Sequence, residues 1–328
     1  MGLMGRSRVG LANRGVSRRD NVYHAMDLVR DDLIPKVADQ VMLKPNFLSN
    51  KNQLASSHPD ALRGAIDFLL SCPRPPSEIL IAEGGNEDHS GQCFEVFGYP
   101  AMVDEYDVPI RWVDLNRETE WQTETIYLSD RSEYQVHMPR TVLDCPCTIS
   151  IAIAKTHDVC CVTLALKNMI MGSIRKEDRT RMHGYPDHES RQLPTEAQRM
   201  AVNLIRLSPH LKPDIGVVDG TIGLQGNGPG GTDTVAMGVA AAGADVFSVD
   251  AVVAMAMGFE PMTLGFLRHA QELDLGVADL AEIEVLGSEI DDIAIPFKPH
   301  DDNELQLQWQ DQEADRYLYP HSVMDPVG

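Results

Sequence analysis

Thr148-Ile-Ser-Ile-Ala-Ile-Ala-Lys-Thr-His157, with Thr163-Leu-Ala-Leu-Lys-Asn-Met-Ile-Met-Gly172 close behind it, decides how the chain is read. Thr148 to Ala154 is a predominantly apolar run of strand length, the pattern of a strand buried on both faces. It stops on Lys155, Thr156 and His157. Outward from it, short runs of the same kind alternate with helical patterns. Val41-Met-Leu43, Ile79-Leu-Ile81 and Ile110-Arg-Trp-Val113 precede it; Ile215-Gly-Val-Val218, Val235 to Ala242 and Ile283 to Leu286 follow. A helix from Pro59 carries Leu62, Ala65, Ile66, Leu69 and Leu70 on one face and is closed by Pro73. Thr195 and Gln198 have the spacing of a capping box before Met200, Leu204, Ile205 and Leu207, and further helical patterns span 245–257 and 263–272. This alternation predicts an α/β fold, a largely parallel sheet with helices on both faces. The polar segment 116–140 and the charged loop 174–194 fall where a boundary between two lobes around a crevice, or a lid, would lie.

The 328 residues are 43% hydrophobic and 23% charged, a balance that excludes disorder, collagen and coiled coil. A net charge of -21 repels phosphate backbones and argues against a nucleic-acid partner. Only eight lysines stand against 20 arginines, so each lysine in apolar surroundings calls for a reason. No apolar stretch approaches the ~18 residues of a membrane span. Arg18-Arg19 is followed by Asp20, Asn21, Asp27, Arg30, Asp31 and Asp32 rather than by a hydrophobic region, which argues against an export signal. Cys72, Cys93, Cys145, Cys147, Cys160 and Cys161 lack zinc-ribbon and ferredoxin spacing and read as reduced thiols of a cytoplasmic protein. Residues 1–290 read as one α/β domain. Residues 291–328 read as an acidic tail that Phe297, Trp309 and the Tyr317–Tyr319 region could dock.

Four of the expected strands run into an ionisable residue and a turn: Lys44-Pro-Asn46, Glu83-Gly-Gly85, Lys155-Thr-His157 and Asp219-Gly220. In a parallel sheet such ends share one edge, where open α/β proteins bind ligands. Residues 44, 83, 155, 167, 219 and 250 are therefore expected to meet around one hollow. Lys167 lies among Leu164, Leu166, Met169 and Met171, where a free ammonium is penalised, so it needs a carboxylate, a bound anion or a catalytic duty. Asp250, inside an apolar helix, needs either a cation such as Lys44, Lys155 or Lys167, or a hold from Ser or backbone groups. Gly223-Leu-Gln-Gly226-Asn-Gly228-Pro-Gly230-Gly231 has the composition of an anion cradle, with Gly226, Gly228, Gly230 and Gly231 as its members, but not the order of a nucleotide motif. Arg175, Lys176, Arg179, Arg181 and His183 make a basic loop that is either solvated charge or a clamp over an anion.

Leu43-Lys-Pro-Asn46, Ala154-Lys-Thr-His157, Thr163-Leu-Ala-Leu-Lys-Asn168, Val218-Asp-Gly220, Gly226-Asn-Gly-Pro-Gly230 and Val249-Asp-Ala251, in this order, resemble the DUF362 family. Some of its members carry a four-iron ferredoxin segment. This chain lacks that cysteine pattern, so no iron–sulfur cluster is expected. There is also a weaker similarity to the nickel-pincer lactate racemases. That similarity implies His157 as proton-transfer base, Lys167 as cofactor anchor and His183 as nickel ligand, a nickel-pincer-type cofactor being the group so held. Asp219 and Asp250 are the further candidates for a divalent metal. These readings converge on an enzyme using Lys155, His157 and Lys167 for acid–base chemistry on a small anionic molecule, carboxylate or phosphorylated, in an isomerase-, racemase- or lyase-like proton transfer. Lys44, Asn46, Asn168 and the glycine loop would bind the anion. The competing reading is a non-catalytic metal or cofactor carrier associated with redox enzymes.

Overall fold

The computed structural model describes residues 7–13, 17–87 and 92–318. Its strands are β1 (Ser7–Ala12), β2 (Gln40–Lys44), β3 (Glu78–Glu83), β4 (Ile110–Asp114), β5 (Trp121–Tyr127), β6 (Glu133–Pro139), β7 (Thr148–His157), β8 (Cys161–Thr163), β9 (Ile215–Leu224), β10 (Thr234–Val235), β11 (Val239–Gly243) and β12 (Ile283–Gly287). One sheet runs in the order β12-β1-β11-β9-β7-β2-β3-β4, with β8 added to β7 and β10 to β9. Along that path β11 is antiparallel to both its neighbours and every other pairing is parallel. The fold is α/β, as the alternation of runs predicts.

β7 lies near the middle and shows how the sheet is held. Ile149 and Ile151 enter one apolar cluster with the helices Arg18–Leu28 and Pro59–Leu70. Ala152 and Ala154 enter the other, with the helices Ala165–Ser173, Thr195–Leu211 and Val246–Ala256. Each fully buried aliphatic chain contributes roughly 1.5–3 kcal/mol, so both faces must be covered for the central strands to be stable.

Four local expectations are corrected. Segment 116–140 is not irregular: β5 and β6 pair as an antiparallel hairpin, whose apolar Ile126, Val136 and Met138 are buried in a largely polar stretch. Thr195 opens its helix without capping it through its side chain. The run Val235 to Ala242 is broken by Gly238, whose φ of +71° no β-strand adopts. The loop 174–194 contains a helical turn, Arg179–Met182, and is pinned by buried Asp178, which accepts from Tyr134 Oη and His137 N at 2.8 Å each.

The C-terminal segment is docked. Phe297 and Tyr317 are buried, and the Trp309 indole donates to Thr263 O at 2.6 Å; Tyr319 lies outside the described residues. No helix among the described residues is long and apolar enough to cross a membrane.

Candidate functional site

β7, β2 and β3 are adjacent and parallel, so their carboxyl ends open onto a common cleft of about 400 Å³. It lies along the edge of one continuous sheet rather than between two lobes. Lys155 and His157 come from the end of β7, Asn46 from the turn after β2, and Glu83 from the end of β3. The chain then doubles back. Cys161 takes a left-handed φ of +63°, β8 pairs with β7 so that Lys155 faces Thr163, and the Ala165–Ser173 helix starts two residues on. That return brings Lys167 and Asn168 over the strand end.

Lys167 Nζ contacts His157 Nε2 directly. On the far side of the imidazole, Nδ1 lies 2.9 Å from both the Val159 N–H and Asp158 Oδ1. One ring position cannot serve both. When Nδ1 accepts from Val159, the ring proton sits on Nε2 and Lys167 is the neutral amine that accepts it. When Nδ1 carries the proton toward Asp158, Nε2 accepts from the Lys167 ammonium. Burial lowers the Lys167 pKa and, with the nearby Lys167 charge, brings His157 down to about 4. Burial would raise Asp158, but His157, Lys167 and Arg191 outweigh it and hold this carboxyl far below the usual range. The network continues through Arg191, which donates to Asp158 at 2.9 Å and also pairs with Glu196. Glu196 in turn holds His183 Nδ1 at 2.5 Å. Burial, helped by the Lys167 and Arg191 charges, keeps His183 well below the ordinary imidazole value.

Lys155 is 2% exposed, and its ammonium reaches only neutral acceptors: Asn46 Oδ1 at 2.7 Å and Ala55 O at 3.0 Å. Among the described residues neither Lys155 nor Lys167 forms an ion pair, and burial, with Lys167 close by, brings Lys155 down to about 7. Lys44 is different. It is fully buried and paired with Glu83, and Asn168 clamps it by accepting from its Nζ and donating to its carbonyl, at 3.2 Å each. Gly172 makes room for that pair, since a Cβ there would stand 2.2 Å from Lys44 Nζ and 2.6 Å from Glu83 Oε2.

The remaining candidates lie elsewhere. Asp219 is inside β9, which runs on to Leu224, and its carboxylate pairs with Arg18 at 2.6 Å. Asp250 accepts from the N–H groups of Ala165 and Leu166 at 2.8 and 3.0 Å, so the backbone and not a lysine is its partner; burial pushes it up to about 7. It caps the helix that carries Lys167. Two N–H groups of the glycine loop are already engaged within the protein: the Gly226 N–H donates to Lys298 O at 2.7 Å and the Gly228 N–H to Gly226 O at 2.8 Å, while Gly231 O accepts from Asn52. Gly228 is needed because Thr156 O passes 2.2 Å from where its Cβ would be, and Gly230 borders open space. Pro229 touches the cleft. His183, Asp219 and Asp250 thus face different partners, and among the described residues no three His, Cys, Asp or Glu side chains gather as a metal site. The donor set does not fit a nickel or other divalent centre.

Asp158, Arg191 and Glu196 enter the site without having stood out in the sequence. Arg179 was one member of a basic run; Arg175 and Arg181 turn away, to Asp178 and the Tyr134 ring, while Arg179 and Lys176 face the cleft.

Among curated proteins the chain is similar to the thylakoid-associated protein sll1697 of Synechocystis sp., 22% identical over 243 residues, which cover 73% of this chain and 70% of that one. Among solved structures it is similar to the lactate racemase apoprotein of Thermoanaerobacterium thermosaccharolyticum, with 13% identity and a TM-score of 0.42 over 66% of this chain and half of that one. The model of the domain of unknown function DUF362 matches residues 41–255, the span that carries β2, β3, β7, Lys167 and Asp250, and the chain belongs to the DUF362 family.

Proposed function

We propose that the protein is an enzyme that binds a small anionic molecule, carboxylate or phosphorylated, in the cleft and moves a proton on it with the His157–Lys167 pair. The observation that carries this reading is the burial of Lys155 and Lys167 in an open cleft with no carboxylate bonded to either, in a chain with 49 acidic residues. An unpaired buried ammonium is costly and persists where a ligand or a reaction uses it. Lys155 supplies positive charge, and Asn46 aims it. The two arrangements of the His157–Lys167 pair differ by one proton, so the pair takes up or releases a proton in passing between them, which suits acid–base work. Asp158 selects the ring orientation, and Arg191 ties it to Glu196 and His183.

The test uses the full chain and a panel of small carboxylates and phosphomonoesters. Compounds that raise the melting temperature are incubated with protein in D2O, and loss of the C–H signal beside the acidic group is followed by proton NMR. The proposal expects one class of compound to bind and exchange, with His157→Gln abolishing exchange while binding survives. Binding without exchange in the wild type would overturn the enzyme reading in favour of a carrier.

A further inference from the structure

A third buried cation faces the same cleft. Arg179 is 8% exposed, and its guanidinium meets only neutral acceptors: Ile174 O at 3.3 and 3.4 Å and Asn116 Oδ1 at 3.2 Å. Among the described residues it forms no ion pair. The carboxylate whose charge it feels most, Glu83, is taken by Lys44. Gly84 leaves room for it, since a Cβ there would come within 2.5 Å of Nη2. The loop that carries Arg179 is pinned through Asp178, so the guanidinium is fixed in place before any ligand arrives.

The cleft therefore has two cationic poles. One is Lys155 with Lys167, at the end of β7. The other is Arg179, beside the end of β3. The neutralised Lys44–Glu83 pair stands between them, its lysine further bonded to Asn168. We infer that the ligand carries an anionic group at each end, one on the two lysines and one on the planar fork of Arg179. A dicarboxylate or a phosphorylated carboxylic acid has this form. A guanidinium fork matches a carboxylate or phosphate edge, whereas ammonium groups act as point charges, so the Arg179 pole sets which end goes where. A volume of about 400 Å³ is at the small end of ligand cavities, ~300–1,000 Å³, which favours a short spacer between the two charged ends.

This inference rests on the anion-binding reading above, and the experiment separates the two. Thermal stabilisation of the full chain is titrated with succinate, monomethyl succinate, phosphoglycolate and inorganic phosphate. Succinate and its monoester match in length and differ by one charge. The two-pole cleft predicts that succinate or phosphoglycolate half-saturates at least ~10-fold lower than the single-headed probes, the worth of one charge-assisted contact. Arg179→Met is expected to reduce that preference to less than ~3-fold and Arg179→Lys to restore part of it, while Lys155→Met weakens every probe together. Equal affinity within both pairs, succinate with its monoester and phosphoglycolate with phosphate, all bound through Lys155, overturns the second pole and leaves the anion site standing. No stabilisation by any of the four removes the anion site as well. The wild-type comparison does not depend on how well either arginine variant folds.

Discussion

Lys44 and Lys155 are both fully buried at strand ends of one sheet, yet opposite outcomes are expected when each is replaced by methionine. Lys44→Met leaves Glu83 buried without its partner, and loss of one member of a buried pair costs about 3–5 kcal/mol. Lys155→Met removes an unpaired charge and orphans two neutral acceptors, so at pH 7 the net change in urea denaturation should stay within about 1 kcal/mol. Their pH behaviour separates them further. Native Lys155 gives up its proton near pH 7, but the unfolded chain holds it to about 10.5. Between those values the unfolded state binds more protons, so wild-type stability should rise with pH relative to Lys155→Met, by at most ~1.4 kcal/mol per pH unit. A flat difference from pH 7 to 10 would contradict the assignment. Lys155 and Lys167 were legible in the sequence because a lysine in an apolar run is an anomaly. Arg191 and Glu196 were not, and Arg179 stood out only as one of a basic run, because in a charge-rich loop a buried arginine has the same letters around it as a solvated one. Asp219 misled because β9 outlasts its apolar run by several residues, carrying the carboxylate away from the strand end.

At the scale of elements, the Ala165–Ser173 helix is what delivers Lys167, and two contacts far apart in sequence fix it. Asp250 caps its first turn. Asp250→Ala should cost about 1–2 kcal/mol by orphaning two amides, and Asp250→Asn, which keeps an oxygen there, distinctly less; thermal denaturation of both decides it. At the other end Gly172→Ala pushes a methyl group into the Lys44–Glu83 pair and should lower both stability and ligand affinity. Equal stability of Gly172→Ala and wild type would show that the helix does not press on that pair. Strands and helices with continuous apolar patterns were readable in advance, such as Pro59–Leu70, which starts where proline at the first turn places it. The β5–β6 hairpin was not, since its buried Ile126, Val136 and Met138 are diluted among charged and polar residues that face outward. The capping-box spacing at Thr195 was a true pattern without the geometry to use it.

For the whole molecule, the sheet places the cleft and the C-terminal segment holds one side of it. Gln306 donates to His157 O at 2.8 Å, Phe297 fills the space beside Gly223, and Trp309 packs on Gly265. A chain ending at residue 290 should therefore melt lower and lose ligand binding, although composition alone marks the segment as an acidic tail. Retention of the full melting temperature by that truncation would make it dispensable. Whether Lys155 and Lys167 are kept unpaired for a ligand is decided by urea denaturation of wild type, Lys155→Met and Lys167→Met at pH 7, each with and without phosphoglycolate. Both variants should stay within about 1 kcal/mol of wild type without ligand and lose the ligand-dependent increment, ~2.7 kcal/mol for wild type at a hundredfold excess over Kd. Variants that lose several kcal/mol on their own yet keep that increment would contradict it.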